Sequence, residues 1–431
     1  MFVARHVRKV AGLAVGAAFL LSIAPVSSQL AGAATNVSAV RPATKAPMLA
    51  YQAEAYGTSV KVGNVLTSGP TADVVLGCTL RAGVTRSDTT GAVTLPGLTT
   101  GAVSNVVSSA AVGGNPTASA SSTITGIDLA GGAVTATAVS SDSQTSYAGG
   151  LFSTSGATTL VGLTVAGQTL AANPAPNTRI PLPGIGVLIL NRQSGSVTAS
   201  GASLIVEAID LKVTVANSLG LGLGTEIVVG HARSDLPGTT SGVMGGVAFG
   251  TSLTGDGIAG LGRTAPVYLP CQGTGGVTIT NTTVGITTPL VSTGQISSAA
   301  EGDILPAGPQ ATLADTISNV DLVPGVLGSL LSVSAVTASA SATVANGTTT
   351  LSEAGSQFVG LSVAGFPLLT DNVPANTVLP ILGVGTLYLN RVIETPHRII
   401  VRMIELVLNV SLDGDPAGTD LIISEADAMA H

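Results

Sequence analysis

The chain has 431 residues and a net charge of −7, with 9% charged residues, 3% aromatics, no Trp and 45% apolar residues. Disorder driven by high charge is excluded, as is a coiled coil or bundle built on Glu, Lys and Leu. A nucleic-acid binder, which needs basic patches and stacking aromatics, is excluded too. The length suffices for two domains of ordinary size.

Residues 1–33 read as a secretory signal peptide. Arg5, His6, Arg8 and Lys9 form its basic start. Val10 to Ile23 is an apolar stretch too short and too rich in Gly and Ala for a comfortable membrane span. Ala31-Gly32-Ala33 supplies the small residues that a signal peptidase accepts, so the mature chain starts near Ala34. The alternative is a retained N-terminal anchor. Removing Arg5, Arg8 and Lys9 takes the charge from −7 to −10. No transmembrane segment is expected after signal removal. Residues 34–50, with Pro42 and Pro47, read as an extended spacer.

The remainder is one unit written twice, over residues 51–240 and 244–431. Ala55-Tyr56-Gly57-Thr58-Ser59 returns as Ala248-Phe249-Gly250-Thr251-Ser252, and the distance from there to Cys78 equals that to Cys271. Val161 to Gly167 returns as Val359 to Gly365, Asn177 to Arg192 as Asn376 to Arg391, and Thr225 to Val229 as Thr419 to Ile423. Pro237 to Gly242 has the composition of a linker. Val134 to Val139, Ile209 to Val215 and Ile404 to Val410 alternate apolar and polar residues, the period of a half-buried strand. Ile180 to Leu190 reads as a strand, a Pro-Gly turn and a return strand. Short strands of 5–8 residues between turn formers predict an all-β fold of two tandem sandwich-like or barrel-like domains with cores of Val, Leu, Ile and Ala. A β-solenoid is the alternative.

The Tyr/Phe-Gly opening, the Asn-Thr to Leu-Asn block and the closing Thr-[Glu/Asp]-Ile-Val-Val strand together resemble the choice-of-anchor P family of secreted proteins, known chiefly from Gram-positive bacteria, actinobacteria included. The resemblance covers most of residues 51–431 in two copies. It implies an exported cell-surface protein, and it implies no activity or catalytic residue. The segment Ser424 to His431 shows no attachment signal, which leaves release or non-covalent retention as the expectation.

Gly255 to Gly260 spells G-x-G-x-x-G, but Arg263-Thr264-Ala265-Pro266 follows where a dinucleotide site needs a helix, so a loop is expected. Gly220 to Gly224 reads as a turn before the strand at Ile227. The His residues after the leader are His231, His397 and His431; Glu425 stands where the second repeat would match His231, and His431 is expected to fray. Asp210 with Glu405, and Glu226 with Asp420, are the acidic positions kept in both halves and read as solvated strand faces. Asp413-Gly414-Asp415 offers too few oxygens for Ca²⁺. Asn191-Arg192 and Asn390-Arg391 read as hairpin corners with solvated arginines, with ligand contact by Arg192 and Arg391 as the alternative. A bridge between Cys78 and Cys271 needs the two domains to meet about a pseudo-two-fold axis; otherwise each is a small core residue or a free thiol.

No catalytic site and no cofactor emerge from these residues. The expectation is a secreted, non-enzymatic adhesive, binding or structural module, with cell-wall or extracellular polysaccharide or protein as partner and no nucleic acid. The alternatives are a secreted glycan-active enzyme, which needs two carboxylates flanking one bond, and an outer-envelope β-barrel pore.

Overall fold

The computed structural model describes residues 48–62, 65–239, 242–254, 262–325 and 328–431. The expected leader, most of the expected spacer, Thr240-Ser241 and the Gly255 to Gly260 segment lie outside the described residues.

The described chain is all-β, with two similar pairs of antiparallel sheets. In the first repeat one sheet runs Thr178–Leu182, Gly186–Thr198, Gly201–Val213, Thr225–Thr239, Tyr51–Val62 and Val65–Ser68. Its second sheet is centred on Val103–Val112, Asn115–Leu129, Val134–Ala148 and Leu151–Val161. The second repeat orders Val267–Leu269, Met244–Thr254, Asp420–Ala430, Arg398–Leu408, Gly385–Thr395 and Thr377–Ile381 in one sheet. Its other sheet is built on Ile279–Thr283, Ile296–Leu305, Gly308–Gly325 and Gly328–Ala345. In each repeat the opening strand pairs with the closing one, Tyr51–Val62 with Thr225–Thr239 and Met244–Thr254 with Asp420–Ala430.

Alternation puts one side of each strand into a core shared by both sheets of a repeat. Leu188, Leu211, Ile227 and Val60 meet Ile124 and Val139 in the first repeat. Leu387, Leu406 and Ile423 meet Leu313, Ile317 and Val336 in the second. Each such side chain contributes about 1.5–3 kcal/mol by leaving water. The cores are mostly Val, Leu, Ile and Ala, as the shortage of aromatics predicts.

The turn between Leu182 and Gly186 closes as read from the sequence, with Gly184 at φ +76° and the Ile185 amide donating to the Leu182 carbonyl at 3.0 Å. Other expectations need correction. Some strands have the expected 5–8 residues, such as Thr178–Leu182 with 5 and Val84–Thr90 with 7, but the central ones are longer: Asn115–Leu129 has 15 and Gly328–Ala345 has 18. Pro237 and Gly238 belong to a strand rather than a linker, and Met48–Leu49 pairs with Thr239 and Gly238. His431 is tied in by two backbone hydrogen bonds with Val243, at 2.8 and 2.9 Å, instead of fraying.

One irregularity decides where side chains point. Leu190 pairs with Ile209 and Arg192 with Glu207, but Asn191 and Ala208 form no ladder pair. The same gap continues at Gly230 and at Gly57, so it crosses the sheet. Asn191 and Gly230 adopt φ of +49° and +69°, the left-handed region that Asn and Gly tolerate. A left-handed residue sends the next side chain to the opposite face. The strand between those two residues, without a left-handed residue of its own, changes phase at the same level: its inward positions pass from Leu204, Val206 and Ala208 to Ile209, Leu211 and Val213, all buried. The second repeat repeats the device at Asn390 and Ser424, with φ of +49° and +59°. Asn191 and Asn390 are thus mid-strand residues, not hairpin corners.

Candidate functional site

The phase change places Glu207 and Asp210, three residues apart, on the same outer face. It also aligns Arg192, Glu207, His231 and Tyr56 in one row across four adjacent strands. Arg192 Nη1 lies 2.8 Å from Glu207 Oε2, 3.0 Å from Asp210 Oδ2 and 3.6 Å from Glu226 Oε1. Lys212 Nζ is 2.9 Å from Glu226 Oε1 and 3.6 Å from Asp210 Oδ2. His231 Nδ1 is 3.5 Å from Glu207 Oε1, and its ring stacks on Tyr56 with centroids 4.2 Å apart.

Asp210 and Glu405 are not solvated: they are 0% and 2% exposed. Both sit on inner strands of their sheets, where long neighbouring side chains cover them, and both are paired, which is what keeps a buried charge tolerable. Burial pushes the Asp210 carboxyl up to about 6, although Lys212 and Arg192 oppose it. Burial acts on Glu207 in the same direction, but His231 and Arg192 together outweigh it and hold that carboxyl below its ordinary value. Burial raises the Glu54 carboxyl, and Asp73 adds to the effect. Burial likewise lifts the Tyr56 hydroxyl well above its usual range, followed by Glu207. A proton leaving Tyr56 would create a second anion beside Glu207, so the phenol remains a donor.

The second repeat carries the same row with other chemistry. Arg391, Arg402, Glu425 and Phe249 are aligned where the first repeat has Arg192, Glu207, His231 and Tyr56. Arg391 Nη1 donates at 2.6 Å to each Glu405 oxygen, and its guanidinium lies 4.9 Å from the Tyr388 ring centre. Arg402 spans Glu405 and Glu425 at 3.0 and 2.7 Å. Arg398 makes a two-pronged pair with Asp427 at 2.7 and 2.6 Å. Burial raises Glu425, and burial followed by Glu405 pushes Asp420 up to about 6.

The repeats meet through equivalent residues, as a two-fold relation demands. Cys78 and Cys271 are joined, with Cα atoms 5.4 Å apart, in a small cluster with Ala50 and Val243. A Cβ on Gly262 would collide with the Pro70 carbonyl, so only Gly allows this approach. Two clefts flank the junction. The first, of about 650 Å³, lies between the Arg192 to Tyr56 row and Ala265, Pro266 and Thr280 to Thr283 of the second repeat. The second, of about 820 Å³, lies between Arg398, Arg402, Glu425 and Asp427 and the first repeat's Val74 to Thr79 and Arg86 to Asp88. In the second cleft Arg263 Nη1 reaches Asp73 Oδ2 at 2.7 Å, and the Tyr268 hydroxyl donates to the same oxygen at 3.1 Å. These bonds tie one repeat to the other.

The structure thus brings Arg192, Asp210, Glu226 and His231 together and sets Arg391 and Glu405 in the matching place. His397 and His431 lie apart from that row: His397 bonds Thr349 Oγ1 at 2.7 Å, with the His431 ring 5.8 Å away. Asp413 to Asp415 form a turn closed by hydrogen bonds between Leu412 and Asp415 at 2.9 and 2.8 Å. Among the described residues no group of three or more His, Cys, Asp and Glu is placed to hold a metal ion. No helix among them is long and apolar enough to cross a membrane. Sequence reasoning missed Tyr56, Glu207 and Arg402 as site residues, because only the strand register shows that they are neighbours of Arg192, His231 and Arg391. The chain matches no family model, no curated protein and no solved structure.

Proposed function

We propose that the protein is an exported, non-enzymatic extracellular module of two sandwich-like repeats that binds cell-wall or extracellular polysaccharide or protein. The observation that carries this reading is the state of the acids in the first cleft. Asp210 is wholly covered and does not line the cleft, while Glu207, which does, is held by Arg192. An arrangement of fixed, mutually paired charges beside an open cleft suits recognition: the polar groups are held in place before a ligand arrives. The leader and the Cys78–Cys271 bond both suit an oxidising compartment. The resemblance to the choice-of-anchor P family favours the cell surface as the place of action. Purified full-length protein passed over polysaccharides, matrix proteins and isolated cell walls should be retained on at least one of them. Passage through all of them unretained would refute the reading.

A glycan-active enzyme is the second reading, favoured by one observation. Glu207 and Asp210 touch the same guanidinium, yet one carboxyl is shifted down and the other up to about 6, the split that separates an acid from a base. That reading requires Arg192 to move and expose Asp210. Release of soluble sugar fragments, lost in Glu207→Gln, would support it over the binding reading.

A further inference from the structure

Of the two clefts, the first has the chemistry of a ligand site. We propose that it binds an uncharged oligosaccharide, one molecule per chain; this rests on the extracellular-binding reading and names its ligand class. Lys61, Arg192 and Arg233 line the cleft together with Glu54, Glu207 and Glu226, so three positive groups face three negative ones. Arg192 pairs with Glu207 and Glu226, Lys61 with Glu226 and Arg233 with Asp235, so the charges on this wall largely neutralise one another and give little net attraction to an ionic polymer. The wall does offer acceptors and donors to hydroxyl groups, which are both donor and acceptor. The His231 ring, stacked on Tyr56, lies along the same wall.

The facing wall comes from the second repeat. Thr280, Asn281, Thr282 and Thr283 all line the cleft in succession. A strand seen on one face would contribute alternate residues, so this strand presents its edge. Among the described residues its ladder partner is Ile296–Leu305. Its exposed Thr280, Asn281 and Thr282 are small polar side chains, suited to hydroxyl groups. Strand addition by a peptide is less well served, because Ile279–Thr283 spans five residues and the opposite wall is charged. The cleft volume of about 650 Å³ falls within that of small-molecule sites.

The second cleft lacks the equivalent equipment. Pro70 and Pro266 stand in the first cleft where Arg263 and Asp73 stand in the second, and there the ion pair and Tyr268 are committed to joining the repeats. Phe249, Arg402 and Glu425 replace Tyr56, Glu207 and His231. One site per chain follows.

Titration calorimetry on the full-length, oxidised protein tests this with cellotetraose, chitotetraose, tetragalacturonate and an alternating Thr-Val peptide. At least one neutral tetrasaccharide should bind with a stoichiometry near one. Thr280→Arg, on an exposed position of the first cleft, should weaken that binding at least about ten-fold. Ser87→Arg, the matching position of the second cleft, should leave it unchanged. Absence of heat with both neutral sugars overturns the proposal. So does stronger binding of tetragalacturonate or the peptide, or an equal loss in Ser87→Arg. Retention of the unaltered protein on cell walls alongside such a failure would leave the binding reading standing and remove only this ligand class.

Discussion

Asn191 holds φ +49° within a strand, and its side chain secures that geometry: Nδ2 donates to the Pro174 carbonyl at 2.9 Å and Oδ1 accepts from Gln193 Nε2 at 2.9 Å. Both Asn191→Ala and Asn191→Gly lose those bonds, but only Ala meets the left-handed steric penalty. Urea unfolding should therefore find the Ala variant less stable than the Gly variant by about 1–2 kcal/mol. Asp315 offers a second test at this scale. It is fully buried in the second repeat, bonded by Ser298 Oγ at 2.7 Å, with Oδ2 unpartnered, and burial pushes its carboxyl up to about 7. A folded-state pKa above the unfolded one means that the folded protein holds the proton more tightly. Asp315 thus favours folding most below about pH 4, and that contribution is lost as pH rises toward 7. Asp315→Asn should flatten this part of the stability profile and stabilise the protein at pH 8 by about 2–4 kcal/mol. A parallel pH profile for both proteins would contradict the assignment.

At the level of strands, alternation was legible from the sequence, but its change of phase was not. Ile209-Asp210-Leu211 reads correctly as in-out-in, yet the run of outward residues breaks between Glu207 and Asp210. A turn former inside a long strand looks like the end of a short one, which is why Asn191 and Asn390 suggested corners. Burial of Asp210 followed the same logic: a single strand cannot show that Arg192 and Lys212 of its surroundings will cover the carboxylate. The row makes a firm prediction. Arg192→Leu removes the cation shared by Glu207 and Asp210 and leaves a buried carboxylate short of its partner. Thermal and urea unfolding at pH 7 should show a loss of about 3–5 kcal/mol. Lowering the pH toward 5 should recover part of it, since protonated Asp210 no longer needs the charge.

Across the whole molecule, duplication was the clearest message in the sequence, and the paired sheets follow it. How the copies meet was left open there, because two cysteines at equivalent positions are compatible with a bridge or with separate cores. Their union closes a span of 193 residues. Loss of such a tether should cost about 2–5 kcal/mol, so Cys78→Ser/Cys271→Ser should melt earlier than the oxidised parent and match the parent melted under reductant. The two copies have diverged chemically: ion pairs that join the repeats occupy one cleft, while the other keeps His231, Tyr56 and an open wall of Thr and Asn. The central claim is that this cleft holds a molecule without transforming it. Isolated cell walls incubated with the full-length protein test it most directly, with retained protein and solubilised saccharide measured in the same samples. Saturable retention with no time-dependent release of saccharide is the expected result. Fragments that accumulate in proportion to protein and time, or protein that stays in the supernatant, would contradict it.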